Sequence, residues 1–256
     1  MESHLVVLKS LEWREGNRIP LPANSYRSRT IICCSYEGRR KAEFANGIFP
    51  YFSYIEILGS RGTWSPRGVN IVPVLPDGKV LMVIEQRPAQ YVSDQHPQYV
   101  YVDGKTIPLA SFGPYSSLEF PGGGIDPEDK NMTIGALREL WEETGVDDQE
   151  IEIYTQTHPT HLMGSDIALE GYLTIVRLSD GRFAAKVKND GGLKVFSLSE
   201  DEVEYNRHLG VFSAAQAGLL TWAFYKEVIR AHPMDLKRLQ DIGYLTITKT
   251  VLKRPK

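Results

Sequence analysis

Arg138-Glu139-Leu140-Trp141-Glu142-Glu143-Thr144-Gly145-Val146 follows closely on a glycine-rich turn, Phe120-Pro121-Gly122-Gly123-Gly124-Ile125-Asp126-Pro127. Wound as a helix, these residues advance about 100° each, so Glu139, Glu142 and Glu143 share an arc roughly 100° wide. Ile134, Leu137, Leu140 and Trp141 fall on the opposite arc. The expectation is a helix over about 131–144 with an apolar side turned inward and three carboxylates on the other. Gly145 supplies the stop, which puts Glu142 and Glu143 in the last turn, at the negative end of the helix dipole. Each such placement costs on the order of 0.3–1 kcal/mol, and like charges three and four residues apart add to it. Two readings stand on these residues alone: an ordinary acidic, solvated helix end, or a site whose charge conflict a divalent cation removes. Oxygen ligands without histidine or cysteine favour Mg²⁺ or Mn²⁺ over zinc. Gly122, Gly123 and Gly124 add weight to the second, because a backbone without side chains lets an ion or phosphate approach.

At these residues the chain resembles the Nudix hydrolase family, whose signature is G-x5-E-x7-R-E-U-x-E-E-x-G-U with U aliphatic. The second half matches in full from Arg138 to Val146. The first half departs from it. Counting back from Arg138, the family glutamate falls on Lys130; counting forward, it falls on Asp129 from Gly123 or on Glu128 from Gly122. An insertion in the loop before the helix explains the displacement and leaves Glu128 or Asp129 for the supporting role. The resemblance implies an α/β fold, an α/β/α sandwich with a mixed sheet, and a metal site made by Glu139, Glu142, Glu143 and the Gly122 carbonyl, with Gly123 against the substrate. Arg138 is expected to hold the glutamates and the loop in place.

The chain has 256 residues, 42% of them hydrophobic, and a formal charge of −3. That is enough apolar material for a core, and it carries no basic footprint that would point to nucleic acid. Cys33 and Cys34 are the only cysteines; adjacent, they form neither a disulfide framework nor a metal-ligand spacing. No run approaches the roughly eighteen apolar residues of a membrane span, and the N-terminus lacks a secretory pattern. The expectation is a cytoplasmic protein without membrane or nucleic-acid partners.

Residues 1–62 read as a β-rich extension with apolar runs at Leu5–Leu8, Ile31–Cys34 and Tyr51–Leu58, and residues 63–256 as the catalytic domain. Within the latter, Val69–Leu75 and Lys79–Gln86 flank Pro76-Asp77-Gly78, a hairpin with its turn chemistry in place. A Pro- and Tyr-rich insertion follows at about 88–117; its tyrosines suit base stacking, a lid or a dimer contact equally, and Tyr99–Lys105 reads as a small hairpin. Strands are expected near 150–157, 168–177, 194–198 and 244–252. A helix is expected over 213–230, broken at His232-Pro233, and Glu200–Glu204 reads as a solvated helix start.

Glu85-Gln86-Arg87 and Leu118-Glu119-Phe120-Pro121-Gly122-Gly123 look like the ADP-ribose pyrophosphatase branch, as does the position of Pro159. That likeness implies hydrolysis of ADP-ribose or a related nucleoside-diphosphate sugar, with Glu142 and Glu143 catalytic. Arg87 is a candidate phosphate clamp, since a guanidinium binds oxygens bidentately; a surface ion pair is its plainer role. Asp190, in a loop where family members carry an acidic residue, is the candidate general base, with Asp166 and Glu170 as rivals. His158 and His161 flank Pro159 as further polar candidates. The branch also implies a homodimer. Other nucleotide substrates and a catalytically silent nucleotide sensor remain as alternatives.

Overall fold

The computed structural model describes residues 31–32, 42–44, 47–49, 56–57, 67–86, 98–113, 116–126, 128–146, 148–161, 170–182, 193–212 and 215–253. The chain divides into two units, residues 1–66 with 163–169, and residues 67–162 with 170–256. In the first, β1 (Ile31–Ile32) pairs antiparallel with β4 (Glu56–Ile57), and β2 (Ala42–Phe44) with β3 (Gly47–Phe49). Leu5–Leu8, Cys33 and Cys34 lie outside the described residues.

The second unit is built on a nine-stranded mixed sheet. Its strands are β5 (Arg67–Val74), β6 (Val80–Gln86), β9 (Ser116–Glu119), β10 (Gly122–Gly124), β11 (Gln149–Gln156), β12 (Thr160–His161), β13 (Glu170–Leu178), β14 (Lys194–Leu198) and β15 (Leu245–Leu252). Between β6 and β9 the insertion forms its own hairpin, β7 (Tyr99–Val102) and β8 (Lys105–Pro108), followed by a 3-10 turn at Leu109–Phe112. The main path runs β14-β6-β5-β13-β11-β15. Among the described strands of this sheet, β5 and β13 are the parallel neighbours and the other pairs are antiparallel. β9 extends the ladder of β6, and β10 that of β5.

Among the described residues four helices complete the unit: α1 (Met132–Thr144), α2 (Glu200–Leu209), α3 (Ala215–Arg230) and α4 (Pro233–Asp241). Alternation along β5 assigns the layers. Val69 and Ile71 pack with Ala136 and Leu140 of α1 in one buried cluster that also takes in Ile151, Ile153 and Val176. Asn70 points the other way and donates to Thr221 of α3 at 3.2 Å. Helices on both faces of a mixed sheet are the layered fold expected from the sequence. Leu140 has no exposed surface, and truncating such a leucine to alanine costs about 2–5 kcal/mol.

The β5–β6 turn forms as its residues dictate: Asp77 Oδ1 accepts from the Lys79 amide at 3.1 Å, and Gly78 takes φ +85°. Pro233 behaves differently from its reading as a stop. It sits in the first turn of α4, where proline lacks an N–H that would be unpaired anyway, and His232 caps that turn by accepting from the Met234 amide. The short strands β2, β3, β10 and β12 carry too few residues to show a period, and none was expected from the sequence.

Candidate active site

Helix α1 begins where Asn131 accepts from the Ile134 amide at 2.9 Å, and it ends on Gly145, left-handed at φ 62°. Its buried face is Gly135, Ala136, Glu139, Leu140, Glu143 and Thr144. This corrects the expectation of an apolar inside and an acidic outside. Glu139 and Glu143 are each only 9% exposed, whereas Ile134 is 45% exposed. The reason is the glycine loop, which covers the acidic side of the helix.

The covering is close. The Gly122 amide donates to Glu143 Oε2 at 2.9 Å. A Cβ on Gly123 would stand 2.6 Å from both carboxylate oxygens of Glu139, so the absent side chain is the space that Glu139 fills. Strand β10 is held meanwhile by pairing with β5, Gly122 opposite Asn70 and Gly123 opposite Val69. Pairing with an interior strand thus fixes the loop, and the loop fixes two carboxylates.

Arg138 ties the loop to the helix. Its guanidinium donates to Glu139 Oε1 at 2.7 Å, to the Gly124 carbonyl at 2.8 Å, and to both oxygens of Asp129 at 2.9 and 3.3 Å. It also lies 3.5 Å from Asp126 and 3.6 Å from Glu142. Burial works against its charge, but the hydrogen bonds and charges of Asp129 and Glu139 outweigh burial and raise its pKa further. Asp129 in turn accepts from the Asp126 amide at 2.8 Å. Of the three residues onto which the displaced signature glutamate can fall, Asp129 is the one bound into this hub; Glu128 and Lys130 are exposed.

Glu143 is the electrostatic centre. Burial pushes its carboxyl well above the usual carboxylate range; the Gly122 hydrogen bond opposes the shift, and the charges of Glu139, Glu119 and Glu85 reinforce it. The last two come from the sheet. Val83 pairs with Glu119 and Glu85 with Ser117, so Glu85 and Glu119 lie diagonally on the same face of the β6–β9 ladder. The charges of three carboxylates from three elements therefore act on Glu143 beside the glycine loop. Groups repelled this way are held as a function requires rather than as packing prefers.

A family model described as NUDIX domain matches residues 64–191, half of the 256-residue chain. The chain belongs to the Nudix family. No curated protein matches it. Nudix enzymes hydrolyse nucleoside diphosphate derivatives and generally use divalent metal ions such as Mg²⁺, so this Nudix chain is a pyrophosphohydrolase acting on a small nucleotide substrate. The matched span holds the glycine loop, α1, Glu85 and Glu119.

The residues present fit such an ion. The donor set is all oxygen, and the buried Glu143 carboxyl is destabilised as an anion by burial and three neighbouring carboxylates, a state that a cation reverses. Among the described residues no three acidic, histidine or cysteine side chains are arranged to hold a metal ion as they stand; Glu139 and Glu142 turn toward Arg138 instead.

Of the residues expected from the sequence, the structure brings together Gly122, Gly123, Glu139, Glu142, Glu143 and Arg138. Arg87, Asp166 and Asp190 lie outside the described residues, as do the side chains of Glu170 and His161, and His158 is exposed. Glu85 and Glu119 were read as branch markers and not as members of the carboxylate group. Their signal was the strand register that sets them on one face, and register depends on which strands pair. Among the described residues no helix is long and apolar enough to cross a membrane.

Proposed function

We propose that the protein hydrolyses the pyrophosphate bond of ADP-ribose or a related nucleoside-diphosphate sugar, giving AMP (or another nucleoside monophosphate) and a sugar phosphate, with Mg²⁺ or Mn²⁺. The observation that carries this reading is the buried Glu143 among Glu139, Glu119 and Glu85, directly under the glycine loop. The sugar-nucleotide choice is supported by Glu85-Gln86-Arg87 and Leu118-Glu119-Phe120-Pro121, which resemble the ADP-ribose pyrophosphatase branch.

In this reading Glu139, Glu142 and Glu143 would hold the ion together with the Gly122 carbonyl. When bound, such an ion would supply charge neutralisation at the phosphates and a water of lowered pKa. Water then adds to one phosphorus as the bridging P–O bond breaks, and the departing phosphate leaves with the bridging oxygen. Arg87 clamps the phosphate oxygens, Gly123 leaves room for them, and Asp190 takes the proton of the attacking water. Arg138 and Asp129 keep helix and loop at fixed separation throughout, since a positioning error of about 1 Å costs on the order of 10²-fold in rate.

A panel of nucleoside-diphosphate sugars, dinucleotides, dinucleoside polyphosphates and nucleoside triphosphates, each with Mg²⁺ or Mn²⁺, tests the assignment. Fastest release of nucleoside monophosphate from a diphosphate sugar is expected. Preference for a triphosphate or a dinucleotide would move the assignment to another substrate class. The ordered hairpin β7–β8, inserted between the two strands that carry Glu85 and Glu119, is the feature that favours that second reading, because inserted loops commonly decide what a scaffold binds.

A further inference from the structure

The inserted hairpin is gripped by one buried side chain. Asn206 of α2 has no exposed surface. Its Oδ1 accepts from the Tyr101 amide at 2.7 Å, and its Nδ2 donates to the Tyr101 carbonyl at 2.8 Å and to the Glu202 carbonyl at 2.9 Å. The carboxamide thus gives β7 both hydrogen bonds that a neighbouring strand would give it. Burial of such a group is costly unless its bonds are made, and here one donor–acceptor set is spent on a backbone far away in sequence. Two further contacts belong to the same grip: the Gly104 amide donates to Glu202 Oε1 at 3.3 Å, and the Tyr101 and Tyr205 rings lie 4.8 Å apart.

The chain beyond α2 makes a second grip. The Leu118 amide donates to the Val211 carbonyl at 3.2 Å, and Leu118 bridges to Phe212. Because Leu118 turns its N–H to Val211, its neighbours Ser117 and Glu119 are the residues whose amides face β6. Phe212 continues the contact against Phe120, ring to ring at 5.9 Å. One segment, α2 with the residues after it, therefore holds the insertion at Tyr101 and holds β9 next to Glu119. The insertion springs from the last pairs of the β6–β9 ladder, Gln86 with Ser116 and Glu85 with Ser117. Ladder ends fray when the loop they carry is free.

We propose that Asn206 is a positioning residue: by latching β7 to α2 it holds the end of the β6–β9 ladder, and with it Glu85 and Glu119, in place against Glu143. The catalytic part of this statement rests on the hydrolase reading above; the structural part does not. Asn206 touches none of the carboxylates and acts only through the hairpin and the ladder.

Amide hydrogen exchange on the full chain, without ligand, tests the latch separately from turnover. Asn206→Ala is expected to speed exchange at Tyr101 and also at Glu85 and Ser117, while the β11–β13 amides keep their native rates. For the hydrolysed substrate, kcat should fall roughly tenfold with KM changed less than about threefold, the pattern of displaced chemical groups rather than lost ground-state binding. Tyr205→Ala removes the exposed ring contact and leaves the carboxamide in place. It should give the same pattern at smaller amplitude, and it serves if Asn206→Ala does not fold. Faster exchange at Tyr101 with native exchange at Glu85 and Ser117 would overturn the proposal, as would unchanged kcat in a variant whose ladder end has loosened. If the wild-type protein turned over no nucleotide, the exchange pattern would still decide the latch, and only the hydrolase reading would fall.

Discussion

Adding one methyl group at Gly123 separates catalysis from folding. The new Cβ would stand 2.6 Å from both Glu139 carboxylate oxygens, and ordinary contact begins at 3.4 Å, so the carboxylate must retreat by about 0.8 Å. What moves is the far end of a side chain. The cost to stability is the 2.7 Å contact between Arg138 and Glu139, about 0.5–1.5 kcal/mol for a partly buried pair. The smaller entropy of the unfolded alanine chain returns about 0.4–1 kcal/mol. The melting temperature should therefore stay within a few degrees of wild type. Turnover should fall on the order of 10²-fold, the usual consequence of displacing a catalytic group by nearly 1 Å. Gly122→Ala makes the contrast, because there the Cβ would collide with the Val69 backbone carbonyl across the β5–β10 pairing. Neither strand can yield without breaking the ladder, so that variant should lose about 2–3 kcal/mol, as overpacked sites do. Differential scanning calorimetry beside a turnover assay reads both effects. Full activity in Gly123→Ala, or a melting temperature that falls as far as that of Gly122→Ala, would refute the placement of Glu139 against the loop.

Glu143→Gln should suppress turnover strongly and raise the metal-free melting temperature. The folded carboxyl is pushed above its usual value of 4.5, so its contribution to stability is complete at acidic pH and is lost as pH rises through the folded pKa. Metal-free wild type should weaken over that rise while Glu143→Gln follows a flatter curve, and parallel curves in a thermal melt series would contradict the upward shift that burial gives the Glu143 carboxyl. Asp129→Ala, which removes both Arg138 bonds to that carboxylate, should destabilise by about 2–3 kcal/mol and lower activity. Lys130→Glu, at an exposed position, should change stability by under about 0.5 kcal/mol. A large gain of activity from Lys130→Glu would favour a silent sensor instead. In solution the chain is expected to be a homodimer, since an N-terminal segment of this size is marginal as a separate core and twofold pairing is the commonest closure; a 29-kDa species with full activity across a wide concentration range in light scattering would refute this.

The parts of the fold that were legible in the sequence are those with a period or a marked end. The β5–β6 hairpin was visible because Pro76-Asp77-Gly78 punctuates two apolar runs, and α1 because Gly145 ends a helical pattern. Strand β10 was invisible as a strand: three glycines have no face, and only pairing with β5 makes them one. Helix α4 was hidden by Pro233, which the same chemistry permits at the start of a helix and forbids in the middle. The site was half legible. Helical spacing gathered Glu139, Glu142 and Glu143, but it could not show that the acidic side is the covered one, since that depends on a loop folding back across it. Glu85 and Glu119 join through strand register, a long-range property. That Asp129, rather than Lys130, meets the Arg138 guanidinium depends on how the loop folds back on the helix, which spacing alone does not show.

The most direct measurement is the rate of ADP-ribose hydrolysis as Mg²⁺ is varied, for wild type and Glu143→Gln side by side, with products resolved by phosphorus NMR. AMP and ribose 5-phosphate should form only with the ion present, saturably in wild type, and at a rate lower by at least about 10²-fold in the variant. Equal rates in the two proteins, or hydrolysis by wild type that persists undiminished in a chelator, would contradict the claim that the buried carboxylates beneath the glycine loop hold the metal that drives the reaction.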